Sequence, residues 1–114
     1  MTPASLHVVG LGPGDAACLT PQARTVLAQA TCVAGYNLYM ELVPPELRAA
    51  KQCTSTGMRH EEERCAAAVE AALGGQPTAL VCSGDPGIYA LAGLALEVLE
   101  SKGLVGTVPF GVVP

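Results

Sequence analysis

The fold is decided by the stretch Val81-Cys82-Ser83-Gly84-Asp85-Pro86-Gly87-Ile88-Tyr89, in which a sharp turn carrying one carboxylate joins an apolar run to a helix. A second stretch, Gly10-Leu11-Gly12-Pro13-Gly14-Asp15, also follows an apolar run and ends at an Asp. Because the carboxyl ends of parallel strands meet at one edge of a sheet, both turns are expected to open at the same edge. The two stretches therefore predict a small-molecule site.

The order of the apolar runs predicts an α/β fold, a mostly parallel sheet flanked by helices. Three short apolar runs are predicted to be strands, at residues 6–11, 31–34 and 78–82. Three longer runs with helical spacing are predicted to be helices, at residues 20–30, 61–73 and 88–102. This alternation implies right-handed crossovers. Residues 37–51 are expected to form short helical pieces around Pro44-Pro45, and residues 108–113 are a weaker strand candidate.

The bulk composition limits the classes of partner. A chain of 114 residues is the length of one domain, and with 50% hydrophobic and 14% charged residues some apolar surface is expected to meet another domain or subunit. The net charge of -4, without a cluster of Lys and Arg, argues against nucleic acid. No apolar run approaches the roughly 20 residues needed to cross a membrane, and the start lacks the features of a signal peptide. The protein is expected to be cytoplasmic.

The cysteines are predicted to be reduced thiols, mostly buried, rather than metal ligands. No C-x-x-C pair occurs, and only His7 and His60 could supply nitrogen ligands. The cysteines are widely spaced, at Cys18, Cys32, Cys53, Cys65 and Cys82. No metal site is predicted.

The first glycine-bearing turn does not match a nucleotide site. The sixth position of the G-x-G-x-x-G pattern is Asp15, and its carboxylate would oppose a pyrophosphate. A carboxylate suits a ligand with amino, hydroxyl and cationic groups, such as S-adenosylmethionine. In the second turn Gly84 permits close backbone approach and Pro86 fixes the turn, while Ile88 and Tyr89 offer apolar surface. The alternative interpretation is two ordinary strand-to-helix turns in which Asp caps a helix.

The chain resembles the tetrapyrrole methylase family, the S-adenosylmethionine-dependent enzymes of cobalamin and sirohaem synthesis. The resemblance is carried by the two glycine-bearing turns and by two further stretches, Leu19-Thr20-Pro21-Gln22-Ala23 and Val33-Ala34-Gly35-Tyr36-Asn37-Leu38-Tyr39. Within the family, Thr56-Gly57-Met58-Arg59-His60-Glu61 and the Gly35-Tyr36 pair are most similar to the precorrin-3B C17-methyltransferase branch.

This resemblance implies C17-methylation of precorrin-3B or its cobalt form, with contraction of the macrocycle. It implies a two-domain α/β protein that forms a homodimer and holds the cofactor between its domains. Residues 1–114 are then expected to be the N-terminal domain, with the C-terminal domain absent and little activity in the first domain alone. Carried over by position, the residues expected to contact S-adenosylmethionine are Pro13, Ser83, Gly84, Asp85 and Ile88.

The catalytic residues are not assigned by the resemblance. In the uroporphyrinogen methylases an Asp proposed as a base occupies the position of Tyr36, so that role does not transfer directly. Tyr36 is expected either to donate a proton or hydrogen bond to the macrocycle or to serve packing alone. The polar residues to be tested first are Asp15, Tyr36, Arg59, His60 and Glu61, each with an ordinary surface role as the alternative.

Other functions remain open at this stage. Another tetrapyrrole methylase of the same family is one, and an RNA or protein methylase on the same scaffold is another, although the acidic balance disfavours RNA. A binding or dimerisation module without turnover is an alternative from a different class. It follows from the expectation that half a cleft lacks many of the ligand's contacts.

Overall fold

The computed structural model describes residues 3–12, 19–49, 51–57, 60–83 and 86–113. The strands are β1 (Leu6–Gly10), β2 (Cys32–Tyr36), β3 (Gln52–Thr56), β4 (Thr78–Cys82) and β5 (Phe110–Val113). The helices are α1 (Pro21–Gln29), α2 (Asn37–Met40), α3 (Pro45–Arg48), α4 (Glu61–Leu73) and α5 (Pro86–Ser101). The strands form one sheet in the order β3-β2-β4-β1-β5, and every pair is parallel. The predicted α/β fold is confirmed.

One strand, β3, was not predicted from the sequence. β3 has the polar sequence Gln-Cys-Thr-Ser-Thr and lies at the edge of the sheet. Among the described strands it pairs only with β2, and its residues remain largely accessible. A strand at an edge does not need a continuous apolar run, so the pattern that identifies buried strands misses it. The predicted short helices of residues 37–51 are confirmed as α2 and α3.

The last strand forms despite its glycine. Gly111 pairs with His7 of β1, and a Cβ at Gly111 would lie 2.8 Å from His7 Cδ2. The glycine that weakened the strand prediction therefore makes room for the neighbouring imidazole.

The strands separate two apolar cores because their side chains alternate between the faces of the sheet. On one face Val9, Val33 and Val81 pack with α1, α2 and α3. On the other face Val8, Ala34 and Leu80 pack with α4 and α5. The sequence predicts a buried stripe of Ala66, Val69 and Leu73 on α4, and the structure differs. Ala66 and Leu73 are only half-buried, and the fully buried positions are Arg64, Cys65, Ala68, Val69 and Ala72.

The order of the strands creates a topological switch point at the carboxyl ends of β1 and β4. From β1 the chain moves to β2 and β3 with its helices on the first face, and then returns through α4 and α5 on the second face to β4 and β5. The connections that leave the adjacent strands β1 and β4 therefore turn to opposite faces. Ligands of open α/β sheets bind at such switch points.

Three of the four described cysteines are buried, and Cys53 is exposed. Cys18 lies outside the described residues. Within the described ranges, no group of three His, Cys, Asp or Glu side chains is placed to hold a metal ion. The helices in these ranges are also too short or too polar to span a bilayer.

Candidate functional site

The two glycine-bearing turns start side by side. Gly10, the last residue of β1, pairs with Cys82, the last residue of β4. The Leu11 N–H then donates to the Cys82 carbonyl at 2.8 Å, which extends the ladder one residue past β1. The prediction that both turns open at the same edge of the sheet is confirmed. We call the space between them the switch-point crevice, bounded by residues 10–12 and 82–83.

The described side chains near this crevice differ in accessibility. Ser83 is half-buried and follows β4 directly. Ile88 is 1% exposed and packs in the core beneath α5, whereas Tyr89 is 65% exposed. Most contact from Ile88 to a ligand would therefore come through its backbone. The other predicted cofactor contacts, Pro13, Gly84 and Asp85, lie outside the described residues and stay predictions.

A second cleft opens at the same edge of the sheet, beyond the end of β2. It has a volume of about 210 Å³ and is lined by Tyr36, Tyr39, Glu61 and Arg64. We call it the tyrosine cleft. Its walls come from the end of β2, from α2 and from the first turn of α4. Since β2 neighbours β4 in the sheet, the tyrosine cleft lies on the strand next to the switch-point crevice.

Arg64 is the only described arginine or lysine side chain that is buried, at 5% exposure. Its Nε–H donates to Thr56 Oγ1 at 2.8 Å, and its Nη2 donates to the Gly57 carbonyl at 3.4 Å. Its Cζ lies 5.8 Å from the centre of the Tyr36 ring, within the range of a cation–π contact. These contacts connect α4 to the end of β3 and hold the guanidinium beside the tyrosine cleft.

The two tyrosines form a fixed wall. Their rings meet edge to face, with centres 5.3 Å apart and planes at 83°, a favoured arrangement of aromatic pairs. Gly35, which precedes Tyr36, allows β2 to lie close to Val81 and Met40, since a Cβ at Gly35 would lie 2.6 Å from Val81 Cγ2 and 3.1 Å from Met40 Sδ. Tyr36 therefore packs against Tyr39 and also lines a cleft, and its donation of a proton or hydrogen bond to the macrocycle stays a prediction.

The remaining polar candidates divide between the cleft and the surface. Glu61 is exposed and lines the tyrosine cleft. His60 is exposed, precedes α4, and places its Nδ1 3.1 Å from Glu63 Oε1. Asp15 and Arg59 lie outside the described residues.

Sequence reasoning missed Arg64. A signal was present, because Arg64 occupies the same helical stripe as Cys65, Ala68 and Ala72. An arginine on an otherwise apolar stripe is unusual, since charged side chains are rarely fully buried without a partner.

Comparisons with known proteins identify relatives of this chain. The family model described as Tetrapyrrole (Corrin/Porphyrin) Methylases matches residues 5–114. The probable cobalt-factor III C(17)-methyltransferase of Salmonella typhimurium is 46% identical over 99 residues, which cover 87% of this chain and 41% of the relative.

Two solved structures show the same fold. The methyltransferase CobJ superposes with a TM-score of 0.86 at 33% identity, covering 97% of this chain and 46% of that one. A uroporphyrin-III C-methyltransferase of Thermus thermophilus, complexed with S-adenosylhomocysteine, has a TM-score of 0.65 at 27% identity, covering 96% and 47%. The chain thus spans less than half the length of each of these proteins.

Proposed function

Because this chain belongs to the tetrapyrrole methylase family, we propose that the protein methylates C17 of a precorrin-type macrocycle in cobalamin biosynthesis, with contraction of the ring. The name of the Salmonella relative supports position C17 and favours the cobalt-containing macrocycle as substrate. Metal-free precorrin-3B is the second candidate. The structural observation that carries the proposal is the pairing of the two glycine-bearing turns at one switch point.

The chemistry of these turns fits S-adenosylmethionine as methyl donor. Neither turn contains Lys or Arg to balance a phosphate, and each contains one Asp. S-adenosylmethionine supplies a methyl group on a sulfonium and carries no phosphate. The residues that would hold it are Pro13, Ser83, Gly84, Asp85 and Ile88. The relative solved with S-adenosylhomocysteine supports this cofactor class.

The protein's own part in methyl transfer is chiefly positioning. A transfer between two bound molecules is accelerated mostly by holding the reacting atoms close and aligned. The crevice and the tyrosine cleft follow adjacent strands, so cofactor and macrocycle would each meet a fixed strand end. Tyr36 can donate a hydrogen bond to the macrocycle from the end of β2. We further propose that the protein is a cytoplasmic homodimer. In each subunit a second domain would complete the cleft.

Binding of S-adenosylmethionine to full-length protein tests the cofactor site. Asp85→Asn should weaken the affinity about tenfold or more, because a charge-assisted hydrogen bond would be lost. Glu46→Gln is the control, since Glu46 is an exposed carboxylate whose Oε1 lies 3.7 Å from Arg24 on the α1 face. Titration calorimetry should show unchanged affinity in the control. Equal affinities in wild type and Asp85→Asn would remove Asp85 from the site.

The alternatives predict different results. An RNA methylase would methylate RNA in competition with a tetrapyrrole, and the acidic net charge of -4 argues against it. A binding module would show no turnover with any acceptor. Methyl transfer to a tetrapyrrole, unaffected by added RNA, would exclude both.

A further inference from the structure

Arg64 is a buried charge whose described partners are neutral. Burial of an ionised side chain is costly unless an opposite charge or several hydrogen bonds compensate it. Thr56 supplies a hydroxyl and Gly57 a carbonyl. Among the described residues, no carboxylate forms an ion pair with Arg64. Neither hydrogen-bond partner of Arg64 therefore carries a negative charge.

The guanidinium also has donors to offer. Arginine carries N–H groups on all three nitrogens in a planar fork, and the two hydrogen bonds described above use only part of them. Arg64 lines the tyrosine cleft, and the Tyr36 ring lies beside its Cζ. A rigid fork of donors held against an aromatic wall is suited to a planar, singly charged acceptor.

We propose that Arg64 binds a carboxylate group of the ligand, with Tyr36 and Tyr39 as the wall that orients it. The proposal rests on the proposed function, since both molecules of that reaction carry carboxylates. The macrocycle bears them on its peripheral side chains, and S-adenosylmethionine bears one at its amino-acid end. In either case the carboxylate would form with Arg64 the ion pair that no described carboxylate forms.

Glu61 gives the proposal a second signature. Its exposed carboxylate lines the same cleft but does not form an ion pair with Arg64. A bound carboxylate would be repelled by Glu61 and attracted by Arg64. Glu61→Gln should therefore strengthen binding of a carboxylate that occupies this cleft, whereas a carboxylate bound elsewhere predicts no gain.

The experiment compares matched ligands on the full-length protein. The probes are uroporphyrin, a porphyrin with eight carboxylates, its carboxamide derivative, S-adenosylmethionine and its decarboxylated analogue. Dissociation constants are measured by fluorescence or calorimetry for wild type, Arg64→Met, Arg64→Lys and Glu61→Gln. Arg24→Met, on the other face of the sheet, is the control for loss of a cation.

Arg64→Met should weaken binding of one carboxylate probe about tenfold or more while leaving unchanged the binding of its partner that lacks carboxylates. Arg64→Lys should bind this carboxylate probe more tightly than Arg64→Met does. Glu61→Gln should bind it a few-fold more tightly than wild type does. Loss confined to uroporphyrin assigns the carboxylate to the macrocycle, and loss confined to S-adenosylmethionine assigns it to the cofactor. Each variant's urea midpoint is measured alongside, and if Arg64→Met does not fold, Arg64→Lys decides through a loss of affinity confined to the carboxylate member of one pair.

Three results would overturn the proposal. Wild type could bind the two members of each pair equally, Arg64→Met could weaken both members of a pair equally, or Glu61→Gln could bind the carboxylate probes no more tightly than wild type. Failure of the proposed function is distinguishable. It would appear as absent methyl transfer, whereas the carboxylate preference is read from binding alone.

Discussion

Gly35→Ala tests how β2 is held against β4. The added Cβ would lie 2.6 Å from Val81 Cγ2, 3.1 Å from Met40 Sδ and 3.4 Å from the Val81 carbonyl oxygen. Val81 is fully buried and β-branched, so its side chain has little freedom to move aside. Overpacking of this kind costs about 1–3 kcal/mol. The free energy of unfolding should fall by that amount, measured from urea titrations with an unchanged slope.

Gly93→Ala is the matched control. Gly93 is exposed on α5, and a Cβ there would meet no atom within 4 Å. Alanine in place of a helical glycine should raise stability by about 0.5–1 kcal/mol. The double variant Gly35→Ala, Val81→Ala should be more stable than the sum of its single changes predicts, because the clashing methyl is removed. A neutral or stabilising Gly35→Ala, or strict additivity with Val81→Ala, would refute the close contact.

Three further predictions concern other parts of the fold. Thr20→Ala should lower the free energy of unfolding by about 0.5–2 kcal/mol in urea titrations, because the Thr20 hydroxyl accepts a hydrogen bond from the Ala23 N–H at the start of α1. An unchanged urea midpoint would contradict this helix cap. An alkylating reagent should modify exposed Cys53 well before Cys65, as followed by peptide mapping, since burial raises the pKa of the Cys65 thiol to about 11. Equal rates of alkylation at the two cysteines would contradict this. Burial lowers the pKa of His7, so near pH 6.5 the unfolded chain binds more protons than the folded chain. The free energy of unfolding should therefore fall as the pH drops through about 6.5, and it should fall less steeply in His7→Gln than in wild type.

Buried elements were predictable from the sequence because their patterns reflect burial. β1 and β4 are short apolar runs covered on both faces, and α5 keeps a regular stripe over its length. β3 was not predictable in this way, because an edge strand half-open to water is selected by its backbone pairing rather than by hydrophobic side chains. Length and periodicity identify the layers of the sheet but not its polar edge.

The candidate site was predictable in position and less so in composition. Two glycine-bearing turns after apolar strands locate the switch-point crevice, because parallel strands place their carboxyl ends together. The tyrosine cleft depends on β3 and on the rotation of α4, both of which the sequence analysis missed. A small rotation of the α4 stripe decides whether Arg64 faces solvent or the interior, and periodicity over 13 residues does not resolve it.

Methyl transfer to a defined carbon tests the central claim most directly. Full-length protein is incubated with S-adenosylmethionine carrying an isotopically labelled methyl group and with the cobalt-containing macrocycle, and the product is analysed by mass spectrometry and NMR. The predicted result is one labelled methyl group at C17 in a contracted ring. A macrocycle that binds without gaining label, or that is labelled at another carbon, would contradict the proposed function.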